Sequence, residues 1–101
     1  MQIEWLEPWR PVNAAERQLL EAELRKEIGK GHELFGQHPT IVGRRDDQDD
    51  ILCEIGDSKT VATVHLTWRT GREKDPSWPA TRVYENIESW IEMEMKPERD
   101  V

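Results

Sequence analysis

Apolar residues recur along this chain with two different periods, and the change from one to the other divides it. In NAAERQLLEAELRKEIG, Leu20, Leu24 and Ile28 fall four residues apart with Leu19 beside them, while Arg17, Glu21, Arg25 and Lys26 take the other faces. That is the pattern of a helix packing by one stripe. Asn13 stands at the N-cap position, Glu16 three residues on closes a capping box, and Gly29 supplies a stop. The spacing predicts a helix over 13–28. Further on, the period falls to two. Thr40 to Arg45, Ile51 to Ile55 and Thr60 to Trp68 are short runs rich in β-branched residues, separated by DDQDD and GDSK. They predict an antiparallel meander over 40–68.

The turns set a register. If Ile55 pairs with Thr60 across GDSK, Cys53 lies opposite Ala62 and Ile51 opposite Val64. Ile51, Cys53, Ile55, Ala62, Val64, Leu66 and Trp68 then share one apolar face, with Trp68 as the last core residue of its strand. The other face holds Leu52, Glu54, Val61, Thr63, His65 and Thr67, and a pairing of Arg45 with Ile51 adds Val42 and Arg44. This mixed face is expected to meet water.

Outside those elements, IEWLEPWRP sets Ile3, Trp5, Leu6 and Trp9 among Pro8 and Pro11, which oppose a helix, so 1–12 is expected as an extended arm. GKGHELFGQHP is turn-rich, with Leu34 and Phe35 as anchors to the core. Residues 69–81 read as a long loop, Arg82 to Tyr84 after it as a short strand, and Asn86 as the cap of a second helix over 86–95. In that helix Ile87, Trp90, Ile91 and Met95 share a side, Glu88, Glu92 and Glu94 point outward, and 96–101 forms a flexible tail. The order α-β-β-β-(β)-α describes a single α+β domain: a three- to four-stranded antiparallel meander sheet, its fourth strand Arg82 to Tyr84, with an N-terminal and a C-terminal helix packed on its apolar face.

Composition narrows the partners more than the fold. The 101 residues are enough for one small core, and with hydrophobic residues at 36% the five tryptophans must supply much of its volume. A formal charge of −7, from 21 acidic and 14 basic residues, disfavours a nucleic-acid surface, which needs a concentrated basic face. There is no apolar run long enough for a membrane span and no charged-then-apolar leader, and the single Cys53 cannot form an internal disulfide. A cytoplasmic protein is expected, partnered by another protein or by its own copy.

The candidate chemistry is sparse. In RRDDQDD, Asp46, Gln48 and Asp50 alternate like calcium ligands, but the sixth and twelfth positions counted from Asp46 are Ile51 and Asp57 where an EF-hand needs Gly and Glu. A solvated turn accounts for them better. GKGHELFG lacks the Gly-Lys-Ser/Thr ending of a phosphate loop. His32, His38 and His65 show no spacing that gathers two imidazoles on one metal, so no metal or cofactor is expected. The register does place His65 opposite Asp50, a charge-assisted pair and the one general-base candidate, with Thr63 and Thr67 on the same face. Cys53 falls on the opposite face and reads as a small buried hydrophobe.

In DPSWP, Trp78 stands between Pro76 and Pro79 after Arg69, Arg72 and Lys74, the one basic cluster in an acidic chain. Its indole either caps the core or anchors a partner. The leading expectation is a non-enzymatic interaction domain, immunity- or antitoxin-like in size and acidity. It would bind through the 69–79 loop and the polar sheet face, with Trp78 as anchor, Arg69 and Arg72 as charged rim and His65 as a polar contact. Two alternatives stand beside it: a small enzyme using His65 with Asp50 as general base, and a homodimer that buries Val42, Leu52 and Val61 across a symmetric contact.

VHLTW at 64–68 and DPSWP at 75–79, with RRDDQDDIL upstream, resemble a group of small bacterial single-domain proteins to which no activity is attached. The resemblance covers about residues 32–95 and implies a bacterial, free-standing cytosolic domain; it carries over no site residue.

Overall fold

The computed structural model describes residues 3–56, 58–68 and 79–98. It is an α+β domain built on one antiparallel sheet of five strands in sequential order. The strands are β1 (Trp9–Pro11), β2 (Pro39–Arg45), β3 (Asp50–Ile55), β4 (Val61–His65) and β5 (Thr81–Tyr84), with helix α1 (Ala14–Glu27) between the first two. After β5 the chain enters a helix that begins as α2 (Ile87–Trp90), widens to a π-helical segment (Ile91–Met95) and closes as α3 (Lys96–Glu98). No helix among the described residues is long and apolar enough to cross a membrane.

Helix α1 starts where its capping residues place it. Asn13 accepts a hydrogen bond from the Glu16 N–H at 2.8 Å, and Glu16 accepts in return from the Asn13 N–H at 3.3 Å. Glu16 also takes a bidentate contact from Arg10 of β1, at 3.0 and 2.7 Å, which fastens the helix start to the sheet edge. Leu20, Leu24 and Ile28 then pack on Ile41, Ile51, Cys53, Ile55, Ala62, Val64 and Leu66, the apolar face expected from the turns. The β3–β4 register is the expected one: Ile51 opposite Val64, Cys53 opposite Ala62, Asp50 opposite His65. Of the two anchors before β2, Leu34 is buried but Phe35 is 46% exposed.

The second face corrects the expectation of a solvated surface. Leu52 and Val61 are fully buried, covered by Trp9, Trp90 and Met95 with Ile3, Trp5, Leu6, Ile87 and Ile91 around them. The helices therefore take opposite faces of the sheet: α1 covers one, and the C-terminal helix with the N-terminal arm covers the other. Three of the tryptophans meet edge to face, Trp9 on Trp90 at 5.0 Å between centroids and Trp5 on Trp90 at 6.2 Å. Few apolar side chains suffice because these are the largest available. The arm also adds a strand that was not expected, β1, pairing Trp9 with Arg45 and Pro11 with Gly43.

A β-bulge between Ile41 and Gly43 corrects the β2–β3 register by one residue, so that Arg44 rather than Arg45 lies opposite Ile51. Arg44 consequently turns toward α1 and Glu16, while Arg45 points to the second face and pairs with Glu98 at 3.2 Å. Glu98 also accepts from the Trp9 indole N–H at 3.0 Å, which is why the helix continues past 95 where a flexible tail was expected. Gly43 makes the close packing possible: a Cβ there would overlap the Trp5 ring, 2.6 Å from its Cζ3.

Gly43→Ala is therefore expected to cost about 1–3 kcal/mol by displacing Trp5, measured as a lower urea midpoint with unchanged slope. A second test concerns acid. The Arg10 guanidinium and the Asn13 N–H hold the Glu16 carboxyl at about 2 against an ordinary 4.5. The stability this group contributes is fully present above pH 4.5 and is lost as the pH falls toward 2. Glu16→Gln should flatten the acid limb of a melting-temperature profile across that window.

Candidate functional site

At one end of the sheet, where the chain leaves β4 and where it enters β5, buried side chains hold the backbone. At the exit, Glu27, the last residue of α1 and 1% exposed, accepts hydrogen bonds from the backbone N–H groups of Thr67 at 2.8 Å and Trp68 at 2.9 Å. Burial opposes its ionisation. Hydrogen bonds from Glu23, Thr67 and Trp68 outweigh that cost, and its pKa lies below the ordinary range. Glu23, one turn earlier and also buried, moves the other way, held up by its hydrogen bond with Glu27 and by burial. Among the described residues its Oε2 has no hydrogen-bond partner, while its Oε1 pairs with Lys26 Nζ at 3.3 Å.

At the return, buried His32 does the corresponding work. Its Nδ1 accepts from the Leu34 N–H at 3.0 Å, so the ring proton sits on Nε2, which donates to the Pro79 carbonyl at 2.9 Å. The Thr81 hydroxyl donates to the same carbonyl at 2.9 Å. Backbone bonds complete the frame, from the His65 N–H to Ala80 O and the Leu66 N–H to Asp49 O, each 2.9 Å.

Trp68 departs from expectation. The strand ends at His65, and Trp68 adopts a left-handed backbone (φ 56°) with its side chain 44% exposed. The Glu27 carboxylate captures two successive N–H groups and turns the chain out of the sheet before the alternation reaches residue 68. Trp78, Arg69 and Arg72, the expected anchor and rim, lie outside the described residues.

His65 and Asp50 come together across β3 and β4, Nδ1 to Oδ1 at 2.6 Å, with the aspartate side chain 8% exposed and the histidine 48%. They open on a cleft of about 310 Å³ lined also by Gln48, Thr63, Thr81 and Arg82. Among the described residues no hydroxyl in it is free for the imidazole to activate. Thr81 donates to Pro79, and Thr63 donates to Glu94 in a short hydrogen bond.

Glu94 is the largest departure from the sequence reading. Expected outward, it is 1% exposed, and around it gather Thr63, the Tyr84 hydroxyl at 3.0 Å, the Trp90 indole N–H at 3.0 Å and the Arg82 guanidinium at 3.3 Å. The π-helical turn brings Glu94 and Met95 inward together beneath Trp90. Burial, and then the bond to Glu94, push the Tyr84 phenol above its usual range.

Glu27 and Glu94 were both detectable as acids on an apolar stripe, Glu27 three residues after Leu24 and Glu94 four after Trp90. His32 gave no such signal, since it sits in a turn. Cys53 is buried, donates to Ala62 O at 3.5 Å, and burial pushes its thiol up to about 12. Among the described residues no group of three or more His, Cys, Asp or Glu side chains is gathered as a metal site. No family model, curated protein or solved structure matches the chain.

Removing the Glu94 carboxylate takes the acceptor from the buried Thr63 hydroxyl and the part-buried Tyr84 hydroxyl, and leaves the Trp90 indole N–H only Thr63 Oγ1 at 2.9 Å. Glu94→Ala should cost about 3 kcal/mol or more, whereas Glu92→Ala on the same helix should stay within about 0.5 kcal/mol. Urea denaturation of the two variants checks the contrast.

Proposed function

We propose that this is a non-enzymatic recognition domain that presents residues 69–78 to a protein partner. The observation that supports this most is the pair of anchors at the margins of that segment: Glu27 on Thr67 and Trp68, His32 on Pro79. Burying ionisable side chains is costly, and here it fixes the two points between which the segment is held, as a rigid scaffold does for a binding loop. Trp78 is the anchor, Arg69 and Arg72 the charged rim and His65 a polar contact. Arg69 and Arg72 suit acidic groups at the contact, while the net charge of −7 suits a partner that is basic around them. An immunity- or antitoxin-like role in a bacterial cytoplasm fits this size and charge.

The polar sheet face enters the proposal only at its open end. Thr63 is buried, so the contact surface there reduces to His65, Arg82 and the cleft they line. The homodimer through Val42, Leu52 and Val61 is set aside, because Leu52 and Val61 are covered within the chain and Val42 packs against the same cluster. One observation favours an enzymatic alternative, the 2.6 Å Asp50–His65 bond with the imidazole facing a cleft. The hydroxyls of Thr63 and Thr81 in that cleft are engaged elsewhere, so among the described residues His65 has no side-chain hydroxyl to deprotonate and would act on a water or a substrate group.

Trp78→Ala decides between anchor and core cap. The expected result is a variant with the wild-type melting temperature that no longer retains a partner captured by the wild type from native lysate. A variant that unfolds makes Trp78 part of the core. A folded variant that captures the same partner equally well removes the segment from the interface.

A further inference from the structure

The sheet has two edges, and the chain treats them differently. β1 is three residues long, ends in Pro11, and has its Arg10 drawn into bonds with Asp46 at 2.5 Å and Glu16 at 2.7 Å. Proline and engaged charge are the usual protections of an edge. β5 has neither proline nor cover among the described residues.

The hydrogen-bonding sides of β5 follow from the ladder. The Ile55 N–H bonds Thr60 O and the Leu66 N–H bonds Asp49 O, so Ala62 and Val64 direct their backbone groups to β3. Val61, Thr63 and His65 therefore face β5, as the bond from the His65 N–H to Ala80 O confirms. Their partners Tyr84 and Arg82 use their backbone groups on β4. Thr81 and Val83 are left with N–H and C=O directed outward from the edge. The Val83 side chain, on the α1 face at the middle of this edge, is 47% exposed. Arg82 and Tyr84 flank it on the other face, the arginine side chain 65% exposed.

We propose that β5 is a homodimerisation edge, pairing antiparallel with β5 of a second copy about a two-fold axis at Val83. In that register the outward N–H and C=O of Val83 meet those of the second copy and exchange both bonds. The two valines touch on one face. On the other, each Arg82 lies beside Tyr84 of the second copy, a guanidinium against an aromatic ring. Antiparallel pairing keeps cross-strand partners on a common face, so a slip by one residue would break both the face match and the bond match. A second copy is favoured over a foreign strand because an apolar centre flanked by a cation and an aromatic finds each complement when the strand is reversed on itself. The seam joins two five-stranded sheets into one, centres on Val83, and meets the surface assigned above to recognition only at Thr81 and Arg82, which line its cleft. At four residues a side it is much shorter than a standard interface, so association is weak and concentration-dependent.

Sedimentation velocity of the full chain from about 10 µM to about 1 mM tests this. The wild type should move from monomer toward dimer mass, while Val83→Pro, which removes only an outward N–H, and Val83→Lys should weaken association about tenfold or more. Both variants should melt as the wild type does at the dilute end. A mixed isotope-labelled sample should show a contact between the Arg82 Hα of one copy and the Tyr84 Hα of the other, the close pair of this register. A wild type still monomeric at the highest concentration, or variants that dimerise as well as it does, overturns the proposal. The first result would leave the edge to a strand from another protein and the second would move the contact elsewhere.

Discussion

Leu52 and Val61 on one face of the sheet, and Cys53 and Ala62 on the other, are each withdrawn completely from water, so the two central strands need cover on both sides. A sheet buried twice needs two apolar layers, and a chain that is 36% hydrophobic has little to build them from. The solution divides the labour by residue type. Aliphatic side chains of α1 cover the face where the strands present their own aliphatic residues. Three tryptophans drawn from the two ends of the chain cover the other, where the strands are more mixed. The arm and the C-terminal helix depend on each other through Trp9, Trp90 and Glu98, far apart in sequence and adjacent in space.

Buried ionisable groups fix what the apolar layers leave unspecified. Glu94 sits under the tryptophan layer and gives Thr63, Tyr84 and Trp90 a common acceptor, so the polar positions of the mixed face are satisfied without water. Glu27 and His32 do the same at the end of the sheet, taking up backbone groups that have left the ladder. Such groups add little net stability after desolvation, but they permit only one arrangement of the chain around them. Their placement is therefore informative about which segments are held in position.

A carboxylate at the end of α1 decides where β4 stops and directs Trp68 outward, and a histidine in the next turn decides where the chain returns to form β5. The same short stretch, 27–34, thus sets both the margins of the proposed recognition segment and the start of the open sheet edge.

The sequence by itself determined the local elements and their nearest pairings. Asn13 and Glu16 start α1, the stripe of Leu20, Leu24 and Ile28 chooses its face, and the GDSK turn sets the β3–β4 register that brings Asp50 to His65. Each depends on interactions within a turn or between adjacent strands, whose spacing is written in the chain. Tertiary structure alone decided that the mixed face would be covered, that β2 would bulge under Trp5, that Glu94 would turn inward and that Trp68 would turn out. These outcomes join residues from opposite ends of the chain, and no period or spacing records that Trp5 will rest on Gly43 or that Glu94 will find Thr63. Spacing can put an acid on an apolar stripe, as it does Glu94, but it does not supply the partners that desolvation demands, and those decide whether the acid is buried.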